Sequence, residues 1–218
     1  MIVYHYTSAQ HGLDNIDRRR LKIATIPDLN DPFELLCVDL SDKTFRKEMH
    51  EWKTELSKTK GMLCFSEDWK NPVHWSHYAD KHKGVCLRFE ISTDLIKKVE
   101  YDTERTIEET KKLIKDRTTD LKGVTRMLST KFKHWEYEAE WRAYLNLHKK
   151  DPVTGLYFYN WTDSIKLTGV LIGAESKVKR ADVTAVLREL ASDVELLNMR
   201  LAFTSFDVCL QNDKTLWK

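Results

Sequence analysis

Three glutamates recur at every second position of one short aromatic segment. Glu136, Glu138 and Glu140 lie within WEYEAEWR, residues 135–142. In a strand, this alternation places the three carboxylates on one face, where they repel one another unless a positive or polar group lies among them. Partial burial beside aromatic rings raises a carboxyl pKa toward values suited to general-base work. A solvated strand face explains the pattern about equally well, so the spacing indicates candidate catalytic carboxylates only.

Polar and aromatic side chains also end the first predicted strand. Its last residues read YHYT, in which His5 and Thr7 could hydrogen-bond a ligand while Tyr4 and Tyr6 stack on it. A lone histidine is more often a core residue with a satisfied hydrogen bond, and only the acidic segment argues against that interpretation. His5 and Thr7 are therefore candidate binding residues.

Three histidines raise the question of a metal site. His74 and His77 lie three residues apart, but the HExxH spacing is missing and His82 lies about 80° away from His74 around a helix. Structural or solvent-facing histidines explain the pattern better, so the sequence predicts no metal. Glu51 and Lys53 match the acid-x-lysine order of metal-dependent nucleases only formally, because alternate residues of a predicted helix point to different sides.

The composition and the absence of certain motifs argue against several classes of protein. The chain has 36 Lys and Arg against 34 Asp and Glu, so no large field attracts nucleic acid or an anionic membrane. The glycines form none of the motifs of Rossmann, P-loop or α/β-hydrolase sites. No apolar run is long enough for a membrane span and no leader precedes the first strand, which predicts a cytoplasmic protein without a membrane partner. The four cysteines are widely spaced and are expected to be reduced.

The elements that would position these residues alternate between strand and helix. The predicted strands cover residues 2–6, 21–26, 62–66, 85–91, 135–145, 165–173 and 194–205. Helices are predicted after Ser8 and over 41–59, 72–84, about 104–133 and 181–190. Without an internal repeat or linker, residues 1–218 are expected to form a single α+β domain, with a mixed or split sheet flanked by helices.

Several motifs together resemble DUF2971, a large bacterial family of unknown function. They are YHYTS at the start, LNDPFE, the block CFSEDWKNPVHWSHYADKHKGVCLRF, and WEYEAEWR, and they follow in this order between residues 3 and 145. Each motif alone is unspecific, whereas the set in this order is specific. The resemblance implies family membership but brings no established activity.

A more distant resemblance is to the ADP-ribosyltransferase superfamily. A first strand ending in YHYT, a later strand ending in serine, a helix with aromatic and alanine residues, and a strand bearing ExE are similar to that plan. In the superfamily a first-strand His or Arg binds NAD, a middle Ser or Tyr shapes the nicotinamide pocket, and a late Glu is catalytic. The resemblance implies these roles for His5, for Ser66 or Tyr78, and for Glu138 or Glu140.

The sequence and its resemblances predict an ADP-ribosyltransferase-like enzyme that modifies a protein or nucleic acid by transfer from NAD, as a toxin or phage-defence effector would. Glu140, the last acid of ExE, is the first choice for the catalytic group, with Glu138 assisting the acceptor. The alternatives are a non-catalytic nucleotide- or peptide-binding module and, last, a metal-dependent nuclease. The candidate NAD-binding residues are His5, Thr7, Ser66 and Tyr78.

Overall fold

The first strand and helix follow from signals in the first twenty residues. The computed structural model describes residues 1–104 and 121–217. β1 (Ile2–Thr7) leads directly into α1 (Ala9–Arg18), and the Ser8 side chain caps this helix by accepting a hydrogen bond from the backbone N–H of His11. Arg19 then ends the helix in a left-handed conformation, with a φ of 50°.

The other described residues form four further α-helices and twelve further strands. The helices are α2 (Lys43–Thr59), α3 (Pro72–Tyr78), α4 (Leu121–Leu128) and α5 (Arg180–Leu187). The strands are β2 (Arg20–Lys22), β3 (Ala24–Thr25), β4 (Lys60–Ser66), β5 (Val85–Ile91), β6 (Lys97–Lys98), β7 (Glu100–Asp102), β8 (Thr130–Phe132), β9 (Glu140–Asn146), β10 (Phe158–Asn160), β11 (Ile165–Ile172), β12 (Glu195–Leu201) and β13 (Val208–Leu210). None of the described helices is both long and apolar enough to cross a membrane.

A nine-stranded mixed sheet organises the domain. Its order is β13-β12-β11-β5-β1-β4-β9-β6, and β3 pairs with β4 beside this path. β11 and β12 run parallel, whereas the other neighbouring strands are antiparallel. Two small ribbons, β10 with β2 and β7 with β8, complete the described strands. The chain is therefore a single mixed α/β domain.

The large sheet is split between β1 and β4. β1 pairs with β5 along its whole length and β4 pairs with β9 along its whole length, but β1 and β4 share only the Tyr4–Ser66 pair. In the gap the His5 Nδ1 donates a hydrogen bond of 3.0 Å to the carbonyl oxygen of Cys64. A side-chain hydrogen bond thus takes the place of part of the backbone ladder between the two strands, next to the Tyr4–Ser66 pair.

Alternation along the strands divides the core into two layers. On one face Val3, Phe65 and Leu87 pack with the apolar side of α1 and α5. On the other face α3 covers Tyr6 through Trp75, while α2 and α4 cover Met62 on β4. The helix predicted over 41–59 is confirmed by α2, whose residues Phe45, Met49, Trp52 and Leu56 recur at helical spacing and are buried in this second layer.

The strand predicted over residues 135–145 is wrong in its first half. Residues Lys133–Glu138 form a 3-10 turn, Ala139 has a positive φ of 43°, and β9 begins only at Glu140. Tertiary hydrogen bonds hold the turn: the Ser66 hydroxyl donates to the carbonyl of Glu138, and the Glu67 N–H donates to that of Ala139. These long-range contacts override the local alternation.

Other boundaries also differ from those predicted. The helix expected over 72–84 ends at Tyr78 because Asp80, Lys81 and His82 adopt left-handed conformations. Gly84 lies in the turn that follows, where a Cβ would come within 2.2 Å of the Thr7 carbonyl oxygen. The strand predicted over 21–26 is split into β2 and β3, and the one over 194–205 ends at residue 201. Of the helix predicted between 104 and 133, residues 105–120 lie outside the described part, and 130–132 form β8.

Candidate functional site

A cavity of about 210 Å³ lies at the split between β1 and β4. YHYT, the end of β4 and the ExE segment meet in its wall, as the sequence predicts, and loop residues between β3 and α2 complete it. Its described lining residues are Tyr4, His5, Tyr6, Ala24, Asp28, Leu29, Asn30, Glu34, Cys64, Phe65, Ser66, His74, Tyr78, Lys131, Glu138, Glu140 and Arg142.

Strand register explains why residues so distant in sequence meet here. Tyr4 is paired with Ser66, and Ser66 is paired with Glu140, so the three lie in one row across β1, β4 and β9. Residues paired across antiparallel strands project from the same face. Cys64 and Arg142 form the next row on that face. The polar face predicted for the acidic segment is therefore buried rather than solvated, with Glu138 and Glu140 3 % and 5 % exposed.

Arg142 is a fully buried cation held between two carboxylates. Its Nε and Nη2 donate to the two oxygens of Glu140 at 2.8 and 2.9 Å, and Nη1 and Nη2 donate to those of Glu34 at 2.5 and 3.1 Å. Nη1 also donates to the carbonyl of Leu128. Two bidentate pairs satisfy the guanidinium and fix the Glu140 carboxylate on a rigid strand.

Lys131, Glu138 and Tyr78 continue the network toward the loop that borders the cavity. The Lys131 ammonium lies 2.5 Å from Glu138 Oε2 and 3.4 Å from Glu140 Oε2. Tyr78 on α3 donates its hydroxyl hydrogen to Glu138 Oε1, and the Asn30 amide donates to the Tyr78 oxygen at 2.5 Å. Hydrogen bonds therefore connect a loop, a helix, and strands β8 and β9 around one pair of glutamates.

This environment shifts the pKa values of the two glutamates in opposite directions. Burial disfavours the charged form of Glu140, but Arg142 and Lys131 outweigh burial and lower its pKa to about 2. Burial instead raises the pKa of Glu138, and the neighbouring Glu140 carboxylate adds to that rise against the opposing effect of Lys131. Two carboxyl groups with separated pKa values are typical of sites that need one fixed charge and one proton-exchanging group.

The histidines of the wall are neutral. Burial lowers the pKa of His5 despite its hydrogen bond to Cys64, and burial lowers that of His74 to about 3. His74 stacks on Tyr6 with ring centroids 4.2 Å apart, and its buried Nδ1 has no hydrogen-bond partner among the described residues. Neutral aromatic residues thus line the same cavity as the two carboxylates.

Five of the six candidate residues meet in this cavity. His5, Ser66, Tyr78, Glu138 and Glu140 line it, whereas Thr7 does not. The hydroxyl of Ser66 is already engaged, since it donates to the Glu138 carbonyl and accepts from the Asp68 N–H. Tyr78 contacts the Glu138 carboxylate directly, so between the two residues left open for the middle position, Tyr78 is the one that touches a candidate catalytic group.

Sequence reasoning missed three charged members of the network. Arg142 ends the WEYEAEWR motif and Glu34 ends the LNDPFE motif, but the sequence assigns a role to neither, and Lys131 belongs to no motif. A physical signal that points to a missing partner is the repulsion between neighbouring carboxylates, which requires nearby cations. It could identify Arg142, two residues from Glu140, but Lys131 and Glu34 come from other elements and no periodicity marks them.

The three histidines considered as metal ligands have separate partners. His74 stacks on Tyr6, the His77 Nδ1 lies 3.0 Å from the Tyr137 hydroxyl, and the His82 Nε2 lies 3.2 Å from the Ser76 hydroxyl. In the described ranges no three His, Cys, Asp or Glu side chains are grouped so that they could hold a metal ion.

Fold and site define a single-domain mixed α/β protein with a buried, carboxylate-rich cavity at a split in its sheet. Residues 74–143 match the profile of a family described as "Protein of unknown function (DUF2971)". The matched stretch contains Lys131, Glu138, Glu140 and Arg142, so it covers most of the buried ion network, and it supports the resemblance to this family. No curated protein and no solved structure is significantly similar to the chain.

Proposed function

We propose that the chain is an ADP-ribosyltransferase-like enzyme that transfers ADP-ribose from NAD to a protein or nucleic acid. The observation that carries the proposal is a cavity in which two buried carboxylates face neutral imidazole and phenol rings. At about 210 Å³ it is smaller than the ~300–1,000 Å³ of sites that enclose drug-sized ligands. This volume suits the nicotinamide ring and the adjoining ribose of NAD. The rest of the dinucleotide would lie outside the cavity.

The chemistry requires an ionised carboxylate beside the reacting sugar. When the bond between ribose C1′ and the nicotinamide nitrogen breaks, the electron pair leaves with nicotinamide and the ribose gains oxocarbenium character. A preorganised carboxylate stabilises this charge more in the transition state than in the ground state. The acceptor oxygen or nitrogen then bonds to C1′ and releases its proton to a carboxylate or to water.

Of the two carboxylates, Glu138 is better suited to contact the ribose. Both oxygens of Glu140 already accept hydrogen bonds from Arg142, and one of them also faces Lys131. Glu138 accepts one hydrogen bond at each oxygen, from Tyr78 and from Lys131, and retains free lone pairs. We therefore assign the ribose contact to the ionised form of Glu138, which Tyr78 and Lys131 stabilise by hydrogen bonds, and we assign the positioning of Lys131 to the fixed charge of Glu140. This reverses the order favoured by the ExE pattern.

Release of nicotinamide from NAD, detected by mass spectrometry with and without cell lysate as acceptor, tests the proposal. Glu138→Gln and Glu140→Gln keep the shape of the side chain and remove its charge, so each is expected to lower turnover by roughly two to four orders of magnitude. Glu136→Gln is the matched control, since Glu136 is exposed and its ion pair within the described part of the chain is with Lys133. Thermal melts check that the variants are folded.

The two contrary outcomes have different meanings. Wild-type turnover in both folded variants would exclude the acidic segment as the catalytic centre. Binding of NAD without release of nicotinamide by the wild-type protein would favour the alternative, a non-catalytic nucleotide-binding module, in which the same ion network serves recognition only.

A further inference from the structure

A second cavity lies between α2 and the segment of residues 26–40 that precedes it. Its volume is about 560 Å³, within the ~300–1,000 Å³ of sites that enclose small-molecule ligands. The described wall combines apolar side chains, among them Leu36 and Met49, with the cations Arg46 and Lys53. A largely apolar wall with a few polar groups is typical of ligand sites. Of the described lining residues, Leu29 alone also lines the cavity at the β1/β4 split, so the two cavities are separate.

Helical spacing brings the polar residues of α2 to this cavity. Arg46, His50 and Lys53 recur at intervals of four and three residues, which places them in a row along one side of the helix. The two cations at the ends of the row are about 10 Å apart along the helix axis. Arg46 donates a hydrogen bond of 2.7 Å to the backbone carbonyl of Leu40, and within the described residues it forms no ion pair. A ligand that lies along this side of α2 would therefore meet positive charge.

Lys53 is a half-buried cation without a carboxylate partner. Its ammonium donates a hydrogen bond of 2.6 Å to the backbone carbonyl of Glu34, and in the part of the chain that the structure describes it forms no ion pair. An ammonium group has three N–H donors, so two remain for a ligand. Partial burial of a cation without a counter-ion is unfavourable, and an anion in the cavity would remove this cost.

The two acids near Lys53 do not serve as its counter-ion. The Glu34 carboxylate is engaged by Arg142, and the buried Asp31 carboxylate accepts a hydrogen bond of 2.9 Å from the Phe33 N–H. Burial lowers the pKa of Lys53, and the charges of Glu34 and Asp31 oppose this effect. Since lysine ordinarily titrates at about 10.4, roughly three units above neutral pH, the side chain stays charged. Two cations and one acid, Asp31, thus leave the described wall with one excess positive charge.

We propose that this cavity binds a small carboxylic acid with an apolar chain. The carboxylate accepts hydrogen bonds from the Lys53 ammonium, and the chain packs against the apolar wall that includes Leu36 and Met49. One negative charge matches the excess charge of the wall, and the volume admits a chain of several carbons. The site is independent of the proposed transfer reaction, because none of its described residues is assigned to that reaction.

Three small molecules separate the contributions of charge and chain. Hexanoate and hexanamide have the same shape but differ by one charge, and acetate keeps the charge without the chain. Isothermal titration of the full chain at neutral pH is expected to show about tenfold or greater preference for hexanoate over hexanamide, as one charge-assisted hydrogen bond provides. Acetate should bind at least about tenfold more weakly than hexanoate, because it buries fewer methylene groups.

Variants then locate the site. Lys53→Met keeps the length and the apolar stem of the side chain and is expected to reduce the preference for hexanoate to about threefold or less. Lys58→Met is the matched control, since Lys58 lies on the same helix but forms an exposed ion pair with Glu55. If thermal melts show that Lys53→Met is unfolded, Arg46→Met replaces it, because Arg46 is exposed; it is expected to weaken hexanoate binding about threefold.

Four outcomes would overturn the inference. They are undetectable binding of hexanoate, equal binding of hexanoate and hexanamide, acetate binding as tight as that of hexanoate, and unchanged hexanoate binding in the folded Lys53→Met or Arg46→Met protein. Weaker binding in the variant at the cavity together with wild-type binding by Lys58→Met would support it. Release of nicotinamide plays no part in these measurements, so their result does not depend on the proposed enzyme.

Discussion

Arg142 has more partners than any other side chain of the buried network that we describe. It joins Glu34 on a loop to Glu140 on β9 with bidentate hydrogen bonds on both sides. Because the cation lies in a low-dielectric interior, its removal would leave two carboxylates without their counter-ion. The network is thus both the electrostatic basis of the site and a tie between the loop and the sheet.

Replacement of this arginine should therefore be strongly destabilising. Arg142→Met is expected to lower the free energy of unfolding by about 3–5 kcal/mol, measured by urea denaturation. Arg188→Met is the control: its ion pair with Asp17 is exposed, and its loss should change stability by less than about 1 kcal/mol. Similar effects of the two substitutions would contradict the conclusion that the buried ion pairs of Arg142 with Glu34 and Glu140 contribute more to stability than an exposed pair does.

The low pKa of Glu140 makes the stability of the folded protein depend on pH in the acidic range. The carboxyl has a pKa of about 2 in the folded protein, against about 4.3 in an unfolded chain. Its stabilising contribution is therefore fully present above about pH 4.3 and is lost as the pH falls toward 2. Wild-type protein should lose more stability between pH 6 and pH 3 than Glu140→Gln, as followed by tryptophan fluorescence in urea. Parallel losses in the two proteins would show that this carboxyl does not titrate as described.

At the scale of elements, the turn before β9 decides where the glutamates point. Ala139 links the 3-10 turn to the strand with φ and ψ of 43° and 51°, a region that residues with a Cβ occupy at a cost of about 1–2 kcal/mol. Two hydrogen bonds stabilise this strained conformation. The Ser66 hydroxyl donates to the carbonyl of Glu138, and the Glu67 N–H donates to the carbonyl of Ala139. Strained backbone beside a buried polar site is typical of functional positions.

The conformation of Ala139 predicts an unusual response to substitution. Ala139→Val should lower stability by about 1–3 kcal/mol and lower nicotinamide release, since a β-branched residue fits the left-handed region poorly. Ala139→Gly should stay within about 0.5 kcal/mol of wild type, whereas Ala185→Gly, in the exposed interior of α5, should cost about 1 kcal/mol. Equal costs of the two glycine variants in chemical denaturation would refute the assigned turn.

At the scale of the whole molecule, the cavity exists because the sheet is incomplete. β1 and β4 are both central strands, yet a His5 side chain occupies part of the space where ladder hydrogen bonds would form. Each strand is stabilised from its other side, by β5 and by β9, so the gap does not unfold the sheet. A split between two well-paired halves positions polar groups from both halves around one volume.

A domain with this construction should not depend on a metal ion. The histidines considered as ligands are engaged with Tyr6, Tyr137 and Ser76, and the described residues hold no group of three ligands. EDTA is therefore expected to change the melting temperature by less than about 1 °C and to leave nicotinamide release intact. Loss of activity in EDTA that Mg²⁺ or Mn²⁺ restores would favour the metal-dependent nuclease instead.

The sequence by itself determined most regular elements and the segments that meet at the site. Apolar spacing of 3.6 residues predicts α2, and alternation predicts β5 and β11, because both patterns reflect burial of one side of a local element. The YHYT and ExE segments stand out because their polar residues interrupt apolar patterns. Such signals lie within a few neighbouring residues and can be detected without knowing the fold.

Only the tertiary structure decided what surrounds the glutamates. The alternation in the sequence leaves open whether Glu138 and Glu140 lie on a solvated strand face or in a partly buried site. Both side chains are buried, because Lys131 from β8 and Glu34 from a loop join Arg142 across long sequence distances. The turn at Ala139 likewise depends on hydrogen bonds from β4. Burial of charge is stable only when distant partners arrive together, and no local pattern records which distant residues those are.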